Sequence, residues 1–206
     1  MFKEIKTMQL FFVPILILSP LYVLSNESKK NVICEFGSFY GLNNNIILSN
    51  GYFIGMGISK NILNKLNITP DIKYFWERYT EIYTGIKTSI DCKTTILIPS
   101  ILMEYNIINK KKYLLNFSIG FGLYVSQFKM RESLREDISW ENSTSTNLGY
   151  SISFNTYNKF INNFHFILEI GYMNTVFKGI ESKYINKTFE FGFNGYYIDI
   201  IVPVKL

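Results

Sequence analysis

The chain has 206 residues, a formal net charge of +5, 18% charged residues and 17% aromatic ones. That length suits one domain or one closed barrel, and the composition is neither that of a disordered segment nor that of an ordinary soluble domain. Lys110, Lys111 and Lys112 form the one dense basic run, and no cluster of Arg and Lys interleaved with stacking aromatics occurs, so no nucleic-acid partner is expected.

At the amino terminus, Lys3 and Lys6 precede an apolar run from Leu10 to Leu24, broken by Pro14, Ser19 and Pro20. Its 15 residues fall short of a membrane-crossing helix, which needs about 20. The pattern is that of a secretory signal peptide cut near Ser25. Residues 1–25 are therefore read as the signal peptide and residues 26–206 as one barrel domain. No Cys follows the run directly, which argues against lipid attachment. An exported chain with two cysteines, Cys34 and Cys92, invites a disulfide. The strand order below puts them near opposite rims, too far apart for a bridge, so two separate thiols are expected.

Beyond the signal peptide one pattern repeats with a period of two, the spacing of strands with two different faces. In the segment beginning at Gly51, Tyr52, Ile54, Met56 and Ile58 alternate with Gly51, Gly55, Gly57 and Ser59. Next, Leu66, Ile68, Ile72, Tyr74 and Trp76 alternate with Asn67, Thr69, Asp71, Lys73 and Glu77. In Tyr113–Gln127, the apolar Phe117, Ile119, Phe121, Leu123 and Val125 oppose Ser118, Gly120, Gly122 and Ser126. Phe166, Leu168, Ile170 and Tyr172 oppose His165, Glu169 and Gly171. Finally, Ile198, Ile200, Val202 and Val204 oppose Asp199 and Lys205. Eight strands are predicted, near 31–41, 49–60, 66–79, 93–106, 112–127, 146–158, 164–178 and 189–205. Short Asn- and Lys-bearing turns at 61–65, 107–111 and 159–163 alternate with longer polar loops at 80–92, 128–145 and 179–188.

A second face of Ser and Gly suits a crowded interior better than open water. An even strand count, short turns at one end, long loops at the other and a signal peptide predict an all-β, eight-stranded antiparallel up-and-down transmembrane β-barrel. Its apolar face then meets outer-membrane lipid and its small face fills the lumen, which closure without an edge strand requires. The outward register also collects Tyr52, Tyr74, Trp76, Tyr105, Tyr113, Tyr150, Tyr172 and Tyr196, as an interfacial girdle would. The expected location is the outer membrane of a Gram-negative bacterium, and the expected state a monomer. The rival architecture is a soluble lipocalin-like ligand-binding barrel, which needs the reverse polarity.

The stretches GYFIGMGISKNILNKLNITPDIKYF and TTILIPSILMEYNIINKKKYLLNFSIGFGLYV resemble the eight-stranded outer-membrane barrels labelled PorT-like, neighbours of the OmpX- and OmpA-type small barrels. The likeness spans residues 31 to 206 and lies in patterning rather than in chemical motifs. It implies insertion by the barrel assembly machinery and allows adhesion, envelope maintenance or a part in protein secretion.

The inward register holds Glu35, Asp71, Lys73, Glu77, Glu104, Glu169, Asp199 and Lys205, with His165 beside them. Charges in a narrow lumen must be paired or hydrated, so a structural polar network is expected there. A lipid-modifying enzyme would need His165 with an acid such as Glu169. Four residues along a strand separate these by about 13 Å, and no motif positions a reactive serine. No catalytic residue, cofactor or metal site is expected, since one His and two distant Cys make no ligand cluster. An extracellular or envelope protein partner would be met by the loops at 80–92, 128–145 and 179–188.

Overall fold

Alternation between apolar and small or polar residues puts nearly the whole described chain into strands. The computed structural model describes residues 31–42, 50–77, 80–83, 89–110, 113–132, 140–159, 165–182 and 187–205. The expected signal peptide, 1–25, lies outside the described residues. The strands are β1 (Asn31–Gly41), β2 (Asn50–Leu63), β3 (Leu66–Glu77), β4 (Thr80–Tyr83), β5 (Ser89–Lys110), β6 (Tyr113–Glu132), β7 (Glu141–Lys159), β8 (His165–Ser182) and β9 (Lys187–Lys205). Apart from the break between β3 and β4, each pairs antiparallel with its sequence neighbour, and β1 pairs with β9 from Asn31↔Lys205 to Gly41↔Gly195.

The ring closes where β3 runs against β5, from Leu66↔Tyr105 to Trp76↔Thr95. Above that seam the short β4 continues against the same strand, from Thr80↔Cys92 to Tyr83↔Ser89. β3 and β4 thus act as one interrupted stave, and the barrel has eight antiparallel staves in sequence order.

The outer wall carries an exposed apolar band, with Phe36, Tyr52, Met56, Ile101, Phe121 and Phe154 each more than half accessible. Outward aromatics touch across strands: Tyr52 and Tyr74 lie 6.4 and 6.0 Å from Trp76, and Tyr172 lies 6.5 and 5.7 Å from Tyr150 and Tyr196. Inside, Ser118 and Gly120 are buried, so the register of Tyr113–Gln127 runs apolar-out and, apart from the buried Tyr124, largely small-in.

The loops depart from expectation. Much of 80–92, 128–145 and 179–188 is strand, because β4 and the start of β5, the end of β6 and start of β7, and the end of β8 and start of β9 occupy them. Between the strands there remain 84–88, 133–139 and 183–186, which lie outside the described residues. Pairing continues past the apolar band, where the outward face is polar on β6 and β7 and the alternation that marks a half-buried strand disappears.

Large inward rings occupy the space left by inward glycines on the adjoining strand. Phe53 lies against Gly37, Phe75 against Gly51, Phe39 against Gly195, Tyr124 against Gly149 and Tyr197 against Gly171. At Gly171 a Cβ would come within 2.5 Å of Tyr197 Cε1 and Oη. Tyr197 is tied there, because its hydroxyl donates to Glu169, two residues from Gly171 on the same strand. Gly171→Ala should therefore lower unfolding stability by about 1–3 kcal/mol, the usual cost of overpacking. Phe121→Leu, on the outer wall, should change it little. Equal denaturation midpoints for the two variants, read from heat-dependent gel migration in urea, would contradict this inside-and-outside assignment.

Candidate functional site in the lumen and at the rim

Toward the end that holds the described amino- and carboxyl-terminal residues, the lumen holds a polar layer, with buried Ile33 and Ile201 beside it on the terminal side. β1 contributes Glu35, β3 Asp71 and Lys73, β5 Glu104, β8 Glu169 and β9 Asp199. Glu35, Asp71, Lys73, Glu169 and Asp199 are each 4% accessible or less. Lys73 Nζ is the hub, 3.0 Å from both Glu35 Oε2 and Asp71 Oδ2, and Ser100 Oγ donates to Asp71. A second knot forms on Asn155, whose Nδ2 lies 3.2 Å from Glu104 Oε1, 3.3 Å from Ser118 Oγ and 3.5 Å from Glu169 Oε2. Thr69 Oγ1 donates to Glu104 Oε2 at 3.4 Å. Tyr197 Oη donates to Glu169 Oε1 at 2.5 Å, and Lys73 Nζ stands 6.0 Å from the centre of the same tyrosine ring. The carboxyl oxygens of Asp199 have no hydrogen-bond partner among the described residues.

Six of the nine residues expected on the inward register therefore share one layer. Glu77 does not join them: it is buried on β3 beyond Phe75, at the level of the aromatic layer near Cys92. The side chains of His165 and Lys205 lie outside the described residues, although both backbones are in strands. Asn155, Tyr197, Ser100 and Thr69 were missed as members. Their inward register was readable, and what sequence could not supply was which neighbours each would reach around the ring. Among the described residues no group of three or more His, Cys, Asp or Glu is arranged to hold a metal ion.

The second layer differs from a lumen lined only by small and polar residues. Phe39 stacks on Phe193 at 4.3 Å, Phe75 meets Phe193 edge-on at 4.9 Å, and Phe128 stacks on Phe191 at 4.7 Å. Phe177, Tyr124, Met130, Met173, Ile96 and Ile98 complete a buried apolar cluster. Rings from six strands thus fill the barrel from wall to wall. Each such pair adds about 0.5–1.5 kcal/mol beyond simple burial.

Cys92 belongs to this cluster, beyond the apolar outer band, whereas Cys34 is half-buried on β1 near the opposite end, and both thiols are free. Burial pushes the Cys92 thiol up to about 12, against a weaker lowering contact with Thr94. Outside, at the same end, Trp140 meets two cations: Lys93 Nζ and the Arg131 guanidinium are each 4.7 Å from its ring centre. Arg131 Nε also pairs with the buried Asp91 Oδ2 at 2.9 Å.

Two outcomes follow. Lys73→Met leaves Glu35 and Asp71 facing each other without their cation, so stability should fall by about 3–5 kcal/mol, with part restored by adding Glu35→Gln. A double-mutant cycle without coupling would contradict the hub role. Because only the thiolate attacks, Cys92 in a Cys34→Ser background should react with maleimide at pH 8 at least about a hundredfold more slowly folded than unfolded.

No family model matches the chain, and no curated protein matches it. Among solved structures it is similar to Ail, the attachment invasion locus protein of Yersinia pestis, with a TM-score of 0.55 at 11% identity, over 86% of this chain and 99% of that one. Ail in complex with the heparin analogue sucrose octasulfate gives a TM-score of 0.51 at 12% identity, over 86% of this chain and 99% of that one. A major outer membrane protein from Thermus thermophilus gives 0.51 at 9% identity, over 86% of this chain and 100% of that one. The chain has the eight-stranded fold of these small outer-membrane barrels.

Proposed function

We propose that the protein is an integral outer-membrane barrel of the PorT-like, OmpX-like kind with a non-enzymatic surface or envelope role. One observation carries the reading: β5 to β9 run 18–22 residues each, against the 9–11 or so that a tilted strand needs to cross a bilayer. Part of the surplus, such as Ser89–Thr94 on β5, lies at the end away from the two described termini, where an even strand count puts the outside of the cell. There the outer wall turns polar, with Gln127 and Lys129 on β6 and Asn142, Thr144 and Thr146 on β7 exposed. Five to eight surplus residues, at about 2.5 Å of height each, give a projection of roughly 12–20 Å.

The exposed apolar band around the middle supports the membrane assignment over a soluble lipocalin, which would expose polar side chains there. The ring-filled interior supports a closed barrel rather than a pore, since eight strands leave little more than room for side chains. The Ail complex with sucrose octasulfate is an instance of this scaffold holding an external ligand. On this reading the segments 84–88, 133–139 and 183–186, carried on the projection, meet an extracellular or envelope protein partner, and the barrel assembly machinery inserts the chain.

Planar-bilayer recording of the reconstituted protein should give no stable nanosiemens conductance. Replacing 133–139 with a glycine-serine linker of equal length should leave the unboiled, fast-migrating gel form intact and remove adhesion or partner capture at the cell surface. Intact capture in that variant and in matching replacements of 84–88 and 183–186 would leave a purely structural barrel.

A further inference from the structure

The outer wall holds a charge imbalance just beyond the apolar band. On the β5–β6 pair, Lys93 and Lys129 are direct cross-strand partners, and Arg131 follows two residues on, paired with Asp91. Like charges in directly opposed positions repel. Trp140 relieves part of this by lying under Lys93 and Arg131, and Asp91 neutralises Arg131. Among the described residues no carboxylate pairs with Lys93 or Lys129, both of which are exposed, whereas Lys178 on the other side of the barrel meets Glu190 at 3.9 Å.

The height of this patch identifies what neutralises it. On β5 the outward residues run from Tyr105 and Ile101 through Leu97 to Thr95 and Lys93. From Tyr105 to Thr95 is ten positions, which at about 2.5 Å of height each spans the roughly 25 Å of an outer-membrane apolar band. Lys93 is thus about 5 Å above the hydrocarbon, where lipid phosphates lie, and Lys129 and Arg131 continue upward from it.

We propose that Lys93, Lys129, Arg131 and Trp140 form a seat for the phosphate group of an outer-leaflet lipid, with the lipid's acyl chains against the apolar wall formed by Leu97, Val125 and Phe121 below. The Lys93 and Lys129 ammonium groups neutralise the phosphate, Arg131 being already paired with Asp91, and the indole holds Lys93 and Arg131 in place and meets the headgroup boundary as interfacial tryptophans do. This rests on the membrane reading above but not on any surface partner.

The test uses the full barrel in bicelles containing equal phosphatidic acid and phosphatidylcholine, with retained lipids counted by native mass spectrometry. Wild type should retain phosphatidic acid preferentially, and Lys93→Gln/Lys129→Gln should lose about fivefold of that preference per ammonium removed. Both lysines are exposed, and an unboiled gel confirms folding; if the pair fails to fold, the single Lys129→Gln carries the same comparison. In a Trp76→Phe background the emission of Trp140 should shift when phosphatidic acid is added, and inorganic phosphate at equal concentration should not reproduce the shift. Equal retention of the two lipids, or a preference unchanged in the variants, overturns the proposal. So does displacement of the lipid by inorganic phosphate or sucrose octasulfate at equal concentration, which would assign the patch to a soluble polyanion. Failure of the seat in a barrel that still inserts into bilayers leaves the membrane reading standing, whereas failure to insert overturns both.

Discussion

Eight strands closed into a ring leave an interior about one side chain wide, and every inward residue answers to that limit. Five of the lumen rings fit where a side chain is missing beside them, Phe53, Phe75, Phe39, Tyr124 and Tyr197 each facing an inward glycine. The lumen ammonium finds its partners within the same narrow layer, Lys73 bonding Glu35 on β1 and Asp71 on its own strand. Volume and polarity are therefore solved together, by sorting rings and charges into separate layers.

Tyr197 joins the two layers. Its ring sits over Gly171 and meets Phe53 edge-on at 5.9 Å, while its hydroxyl reaches down to Glu169. Glu169 in turn shares Asn155 with Glu104 and Ser118, so one phenol ties the aromatic packing to the hydrogen-bond network around the ring. Groups bonded in this way reinforce one another in a low dielectric, and an isolated one among them is costly.

The staves and their facing were legible because lipid on one side and a tight lumen on the other impose a strict period of two. Inside the apolar band, Tyr113–Gln127 shows that contrast at nearly every position. Beyond the band it fails: Asn142 to Asn147 are polar on both faces, since the outside meets water and the inside bonds backbone, as Ser126 and Ser145 do with Ser145 O and Lys178 O. A polar run with no alternation reads as loop, and here it is strand. The aromatic layer escaped for a related reason. Phe and Tyr fall on both registers of β9, with Phe191, Phe193 and Tyr197 inside and Tyr196 outside, and ring identity alone does not tell lipid from lumen. The alternating glycines carried that information, through the space they leave.

The polar layer also sets the register of the barrel. Slipping one strand by one residue exchanges its faces, so β3 would turn Asp71 and Lys73 toward the hydrocarbon and bring Ile72 and Tyr74 into the lumen. Each charge at the bilayer centre costs about 2.5–3.5 kcal/mol even by the mildest scales, and the abandoned partners Glu35 and Ser100 would lose their bonds as well. A wholly apolar lumen could pack equally well yet would penalise slippage far less, since a Phe or Ile is tolerated on either face. Buried charge in this barrel thus does more to exclude wrong pairings than to stabilise the right one, which accounts for five carboxyl groups gathered around a single ammonium in an interior that rings alone could have filled.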